Sequence, residues 1–555
     1  MPFPQFSSLL LFLSMIFCLV VSELLVKLPN GLIQGYTRKS PNNVAFNAFQ
    51  GIPYAKPPLG KLRFQPPVPA DNWEGILQTK KDGSRCYSVK KDTKDENEDC
   101  LFINVYTPVL KIENATLLPV MVYFYGGGFR DGASQYNVYG PDYLIEHDVV
   151  MVSMNYRVGP FGFLTTGDNV IPGNVGLKDQ VLALKWIQKN IGLFGGDNTK
   201  VTIFGQSAGA ASVGFHIVSK QSSGLFRAGI AESGSALSNW GYLADPKPYG
   251  YELASKINST KNFETNEDLL EFLQSVPAKV IDIASTKTTN IDHPLPVIEV
   301  EHEGAFLTKS MYSMLENGEI NKVSLLMGVN SEEQIHLAED MDSLYTTAEN
   351  CNKRLSKLIP ENMNLKNKTD ADIVGKKIKE IYMKSDSNMQ DNLGLTIAYK
   401  SESRFYNPCI RHAQLQSKYT DVYFYQFSYA GVLGANTNIS LPGAEKCTHG
   451  EELYYIFKRK MNSYDNTDLS IFSEADVLTQ KRMVKIWTNF AKYMNPTPTK
   501  DPLLQNISWP KMDTDETPFV NIANDLSIQS EVKNGRYLKW IQIFEEYAKH
   551  PLIVF

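Results

Sequence analysis

Gly205-Gln206-Ser207-Ala208-Gly209 holds a serine between two glycines, and Val201, Thr202, Ile203 and Phe204 ahead of it are β-branched or aromatic. Those four residues predict a short buried strand, and the small residues after Ser207 suit a helix packed close against a sheet. A strand, a tight turn and a helix in that order make the serine a candidate nucleophile. Its hydroxyl is exposed at the carboxyl end of the strand, and the first N–H of the helix points at the same place. A second feature complements it. The apolar stretch Pro119 to Tyr125 runs into Gly126-Gly127-Gly128-Phe129, where successive glycines can turn backbone N–H groups toward a developing negative charge.

A serine hydroxyl attacks well only when a base takes its proton, and the base needs an orienting carboxylate. On α/β sheets of this kind the chain order is Ser, acid, His. Of the eight histidines, His147, His216, His293 and His302 precede every reasonable acid that follows Ser207. His336 lies too close to the acid segment, His412 falls in the helix-like run Pro408 to Lys418, and His550 is terminal. His449 remains, on a Pro/Gly-containing loop, Leu441 to Gly450, just ahead of a predicted helix. The acid is expected just past the strand Lys322 to Val329, at Glu332 or Glu333. Residue chemistry leaves both open, and one of the two is expected to be a solvated surface charge.

The elements that must position these groups are legible as patterns. Asp148 to Tyr156, Lys322 to Asn330 and Asp421 to Tyr429 read as buried strands, and Leu177 to Asn190 has helical apolar spacing. Strands alternating with helices imply an α/β fold with a mostly parallel sheet covered on both faces. Leu24 to Gly35 reads as a hairpin turning at Pro29-Asn30-Gly31, and Phe49 to Gly60 as an ordered Gly/Pro loop. Residues 240–320 and 340–420 are expected to be helical insertions around a cleft in one large domain spanning 23–555.

The 555 residues are 43% hydrophobic and 21% charged, with a formal net charge of −5. That balance and the lack of a Lys/Arg stripe argue against a nucleic-acid partner. Met1 to Ser22 carries an apolar run ending at the small-residue site Val20-Val21-Ser22, which predicts a cleaved secretory leader. No later stretch is long enough to span a membrane, and the expected localisation is extracellular. Acceptor sequons at Asn114, Asn258, Asn367, Asn438 and Asn506 fit a secreted glycoprotein. Losing Cys18 with the leader leaves five cysteines, an odd number. Cys86 and Cys100 bracket a charged loop, Tyr87 to Asp99, and are the expected disulfide.

The ordered set of motifs resembles the type-B carboxylesterase/cholinesterase family of the α/β-hydrolase fold. It comprises Gly51-Ile52-Pro53-Tyr54-Ala55, Arg63-Phe64, Glu98-Asp99-Cys100-Leu101-Phe102-Ile103-Asn104-Val105-Tyr106, Gly126-Gly127-Gly128-Phe129 and Asn155-Tyr156-Arg157. It continues through Asp179-Gln180, Phe194-Gly195-Gly196-Asp197, the Ser207 turn, Glu232-Ser233-Gly234, Gly328-Val329-Asn330 and Trp487-Thr488-Asn489-Phe490. The resemblance implies Ser207 as nucleophile, Glu333 as acid and His449 as base. It also implies Gly127, Gly128 and Ala208 as oxyanion donors, and a Cys86–Cys100 bridge. Gln206, Arg63-Phe64 and Asp179-Gln180 together are similar to the set in insect juvenile-hormone esterases and related insect esterases.

Three positions and one loop depart from the family pattern. Gln334 stands for the usual Gly, Tyr125 for His, Gln206 for Glu, and the Cys86–Cys100 loop lacks the tryptophan that cholinesterases use against a quaternary ammonium. The expectation is a serine hydrolase of small, uncharged, hydrophobic esters that needs no metal or cofactor, since the chain has no His-Glu-x-x-His and no phosphate loop. The rival readings are a non-catalytic adhesion protein of the same fold and a neutral lipase. Relatives of the adhesion type generally lose a triad member and gain a membrane span.

Overall fold

The computed structural model describes residues 24–88, 95–110, 116–288, 293–360, 363–434, 439–461, 464–513 and 516–555. The leader Met1 to Ser22 and the sequons at Asn114 and Asn438 lie outside them.

The framework among the described residues is an 11-stranded sheet. In chain order its strands are β1 (Tyr36–Lys39), β2 (Ala45–Pro53), β3 (Phe102–Thr107), β4 (Leu118–Phe124), β5 (Val150–Met154) and β6 (Gly196–Gln206). They continue as β7 (Ala228–Glu232), β8 (Ser324–Asn330), β9 (Val422–Phe427), β10 (Phe519–Ile522) and β11 (Leu526–Gln529). Across the sheet the order is β11-β10-β9-β8-β7-β6-β4-β5-β3-β2-β1. Every pairing from β5 through β10 is parallel, and the outer pairings are antiparallel. This is the mostly parallel sheet that the alternating pattern predicts.

Both faces of the sheet are buried, which is why its central strands are rich in apolar residues. Val120, Val122 and Phe124 of β4 face one core with Val201 and Ile203 of β6, while Met121 and Tyr123 face the other with Phe204. The first core is closed by α1 (Val175–Asn190) and α2 (Ala208–Val218), through Val181, Leu184, Val213 and Phe215. The second is closed by the helix Glu474–Tyr493, through Met483, Trp487 and Phe490.

Two regions differ from the sequence reading. The stretch from Phe49 is not a loop at its start, because β2 runs through to Pro53 and absorbs Gly51 in a bulge between Phe49 and Ile52. Gly51 takes φ +72° there, a conformation open to glycine, so its presence bends the strand rather than ending it. The Ser207 strand is also longer than its apolar centre, running from Gly196 through polar residues to Gln206.

The expected insertions are helical. Lys247–Ile257, Asn266–Ser275 and Ala278–Ser285 build a separate core with Phe64, Phe161 and Ile171. Later, α3 (Leu393–Ser401) and α4 (Asn407–Ser417) flank a five-residue turn beside the candidate site. The hairpin Leu25–Leu28 and Gly31–Gln34 forms as read. Cys86 and Cys100 are joined by a disulfide, and Cys351, Cys409 and Cys447 are free and buried.

Candidate active site

Ser207 sits between β6 and α2 with φ +59° and ψ −122°, a strained conformation for a side-chain-bearing residue. The surroundings over-determine it. Its N–H donates to the Glu232 carbonyl at 2.8 Å. A Cβ on Gly209 would lie 2.0 Å from the Phe124 carbonyl oxygen, so only glycine lets α2 come this close to β4. The helix start is thereby held behind the serine, and Ala208 provides its first N–H.

The glycine loop lies against this turn, since a Cβ on Gly126 would come within 3.0 Å of the Ser207 Cβ. Gly127 and Gly128 both take positive φ, +115° and +63°. The loop is held by its carbonyls. That of Gly127 accepts the N–H groups of Arg130 and Asp131 at 3.1 Å, that of Gly128 accepts from His293 Nε2 at 2.9 Å, and that of Phe129 accepts from Gly159 at 2.7 Å. Among the described residues the N–H groups of Gly127 and Gly128 have no hydrogen-bond acceptor. Two unspent donors beside a serine can stabilise a developing oxyanion.

Glu333 follows the end of β8, is 0% exposed, and its Oε2 lies 2.6 Å from His449 Nδ1. Its other oxygen accepts the Asn330 N–H at 2.7 Å, and its carbonyl accepts the His449 N–H at 3.1 Å. Asn330 ties the two segments together, because its Nδ2 donates to the Thr448 carbonyl at 2.8 Å and to Glu452. A carboxylate on Nδ1 fixes the tautomer that leaves Nε2 free to accept a proton. In this structure Nε2 lies 3.1 Å from the Gln206 amide nitrogen, and Ser207 Oγ has no hydrogen bond among the described residues. Acid and base are therefore in contact, and the serine is one residue from the group that faces the base.

Glu332 departs from expectation. Neither glutamate is a surface charge: Glu332 is 2% exposed, accepts from Ser401 Oγ at 2.5 Å and from the Glu445 N–H at 3.0 Å, and burial raises its pKa. A deeper acid pair lies behind. Burial, then the charge of Glu333, pushes Glu452 up to about 7, and burial raises Glu232, whose Oε1 accepts from Trp487 Nε1 at 2.9 Å. Sequence reasoning did not assign Asn330, Phe405 or Tyr406, although the Tyr406 hydroxyl donates to the Asn330 carbonyl at 2.8 Å. Pro408, inside an otherwise helical run, is the signal that marks their segment.

The described sequons Asn258, Asn367 and Asn506 are all exposed. Among the described residues, no helix is long and apolar enough to cross a membrane.

Comparison with known proteins agrees with this geometry. The family model described as the carboxylesterase family matches residues 22–540. A juvenile hormone esterase of Tribolium castaneum is 33% identical over 95% of this chain and 93% of its own length. Venom carboxylesterase-6 of Apis mellifera is 31% identical over 91% of each chain. A mouse (Mus musculus) cholinesterase is 31% identical over 90% of this chain and 83% of its own. With a serine turn, unspent loop donors and an acid–histidine pair set on a mostly parallel sheet, the chain belongs to the carboxylesterase family, with the α/β-hydrolase fold and carboxylic-ester hydrolase activity.

Proposed function

We propose that this carboxylesterase is secreted and works through an acyl-enzyme on Ser207, with His449 as base and Glu333 as the orienting acid. The observation that carries the reading is the 2.6 Å Glu333–His449 contact beside a serine held at φ +59°. When an ester binds, Nε2 of His449 exchanges the Gln206 amide for the Ser207 hydroxyl. The hydroxyl proton passes to Nε2 as Oγ bonds to the ester carbon, and the carbonyl oxygen becomes an anion. The N–H groups of Gly127, Gly128 and Ala208 receive it. Collapse breaks the bond to the alcohol oxygen, which leaves with the proton from Nε2. Water then repeats the sequence on the acyl-serine, releasing the acid and restoring Ser207.

The substrate in this reading is an uncharged, hydrophobic ester of the hormone, odorant or xenobiotic kind. A quaternary ammonium is held by aromatic faces, each contributing roughly 0.5–2 kcal/mol. The Tyr87 to Asp99 loop offers no tryptophan and carries Lys90, Lys91 and Lys94. Gln206 places a neutral amide, not a carboxylate, beside the serine. The test compares kcat/KM for acetylcholine with that for naphthyl acetate and a juvenile-hormone-like methyl ester. The neutral esters are expected to win, and equal hydrolysis of the choline ester would contradict the specificity.

Secretion rests on the Met1 to Ser22 leader, the exposed sequons and the Cys86–Cys100 bridge. A bridged, glycosylated chain suits an oxidising compartment. One catalytic unit, residues 23–555, would remain after cleavage. Expressed from its full reading frame in insect cells, the protein is expected in the medium, with a mass that falls on deglycosylation. Retention inside the cells would oppose this.

A further inference from the structure

α3 and α4 are joined by Glu402–Tyr406, a single π turn. Such turns are rare, appear mostly as single-turn bulges inside α-helices, and are frequent at functional sites. The local cause here is Pro408. Having no N–H, it cannot bond the Arg404 carbonyl four residues back, and the Asn407 N–H reaches five residues back to Glu402. The carbonyls this leaves are taken by another segment. Trp240 Nε1 donates to the Arg404 carbonyl at 2.8 Å, and Asn239 Nδ2 to that of Ser403 at 3.0 Å. External donors thus satisfy the widened turn, as buried backbone requires.

The turn faces the acid–histidine pair. Ser401 just before it bonds Glu332 and accepts the Gln334 N–H at 3.0 Å, and Tyr406 bonds the Asn330 carbonyl. Between them Phe405, buried, sets its ring centroid 4.6 Å from that of His449 at an interplanar angle of 44°. We propose that the π turn makes Phe405 a positioning residue for His449, its ring stabilising the imidazolium that forms when the base takes the serine proton. The proposal rests on His449 being the base.

A cation within about 6 Å of an aromatic centroid is attracted by the ring quadrupole, worth roughly two- to thirtyfold in an equilibrium constant. An aliphatic side chain of similar size excludes water equally well but has no quadrupole, so it separates charge stabilisation from packing. The other groups that face the imidazole are Glu333 on Nδ1, the Gln206 amide on Nε2, and the nearby Glu452 and His336. A substitution at Phe405 leaves all of them in place.

Removing the ring makes the imidazolium less favourable, so the base stays neutral to lower pH while the transition state loses stabilisation. The experiment is the pH dependence of kcat and kcat/KM on a neutral ester for the wild type, Phe405→Leu, Phe405→Met and Phe405→Tyr. Melting temperature and organophosphate titration report the fraction folded, and Met guards against a Leu variant that folds poorly. The Leu and Met variants are expected to move the acid limb down by about 0.5–1 pH unit and to lower kcat roughly three- to thirtyfold, with KM little changed. Phe405→Tyr should restore both. An unmoved limb in folded Leu and Met variants would overturn the proposal, as would a change confined to KM or a Tyr variant that behaves like Leu. His449→Ala tests the underlying reading separately: if it stays active, His449 is not the base, whatever the Phe405 variants do.

Discussion

An amide at residue 333 would still reach His449, but its NH2 could face Nδ1 only if Nδ1 gave up its proton to Nε2. That tautomer cannot accept from the serine, so Glu333→Gln is expected to fold and to lose about three orders of magnitude or more in kcat. Glu332→Gln is the informative control, because both side chains are buried. Its amide oxygen can still accept the Glu445 N–H while its NH2 donates to the Ser401 hydroxyl, so activity should stay within a few-fold of wild type. The reverse ranking in steady-state kinetics would assign the acid to Glu332. A histidine base also fixes the sign of the pH dependence: kcat/KM should rise with pH as the base loses its proton, and then level. A flat profile from about pH 5 to 8 would exclude it.

At the scale of elements, the Ser207 turn depends on contacts that a methyl group would destroy. Gly209→Ala would set its Cβ 2.0 Å from the Phe124 oxygen, forcing α2 away from β4. Activity is expected to be lost with or before folding, as circular dichroism and an esterase assay on the same sample would resolve. The disulfide closes a loop with a sequence separation of 14. Replacing Cys86 and Cys100 together by Ala should cost about 3 kcal/mol on the chain-entropy model, read as a lowered denaturation midpoint.

These elements were also where the sequence was most legible. The serine turn and His449 follow from short-range pattern and chain order, because strand, turn and helix are coded by neighbouring residues. The burial of Glu332 was not legible, since it depends on Ser401 and Glu445, distant in sequence and close only in the fold. The bulge at Gly51 reads as a break for the same reason: its pairing partner, β3, lies some fifty residues on. The π turn was not legible, because Pro408 reads as the start of a helix-like run and only the fold shows α3 continuing ahead of it.

For the whole molecule, two buried histidines outside the site set a limit on acid stability. Burial lowers His216 to about 3 and His412 to about 4, and both are 0% exposed. The unfolded chain takes up protons at these positions below about pH 6.5, while the folded chain does not. Their contribution is therefore complete above that pH and is lost as the pH falls toward 4 and then 3. Melting temperature should drop across this window, and His412→Gln should flatten the drop. An unchanged slope would remove His412 from the account.

The central claim concerns one oxygen atom. Mass spectrometry of the purified enzyme, after titration with an organophosphate and proteolysis, reads it directly. The account predicts one adduct per chain, on the peptide containing Ser207, with activity lost in proportion to labelling and no adduct in Ser207→Ala. Labelling at another residue, or a Ser207→Ala variant that still hydrolyses esters at a rate near wild type, would contradict it.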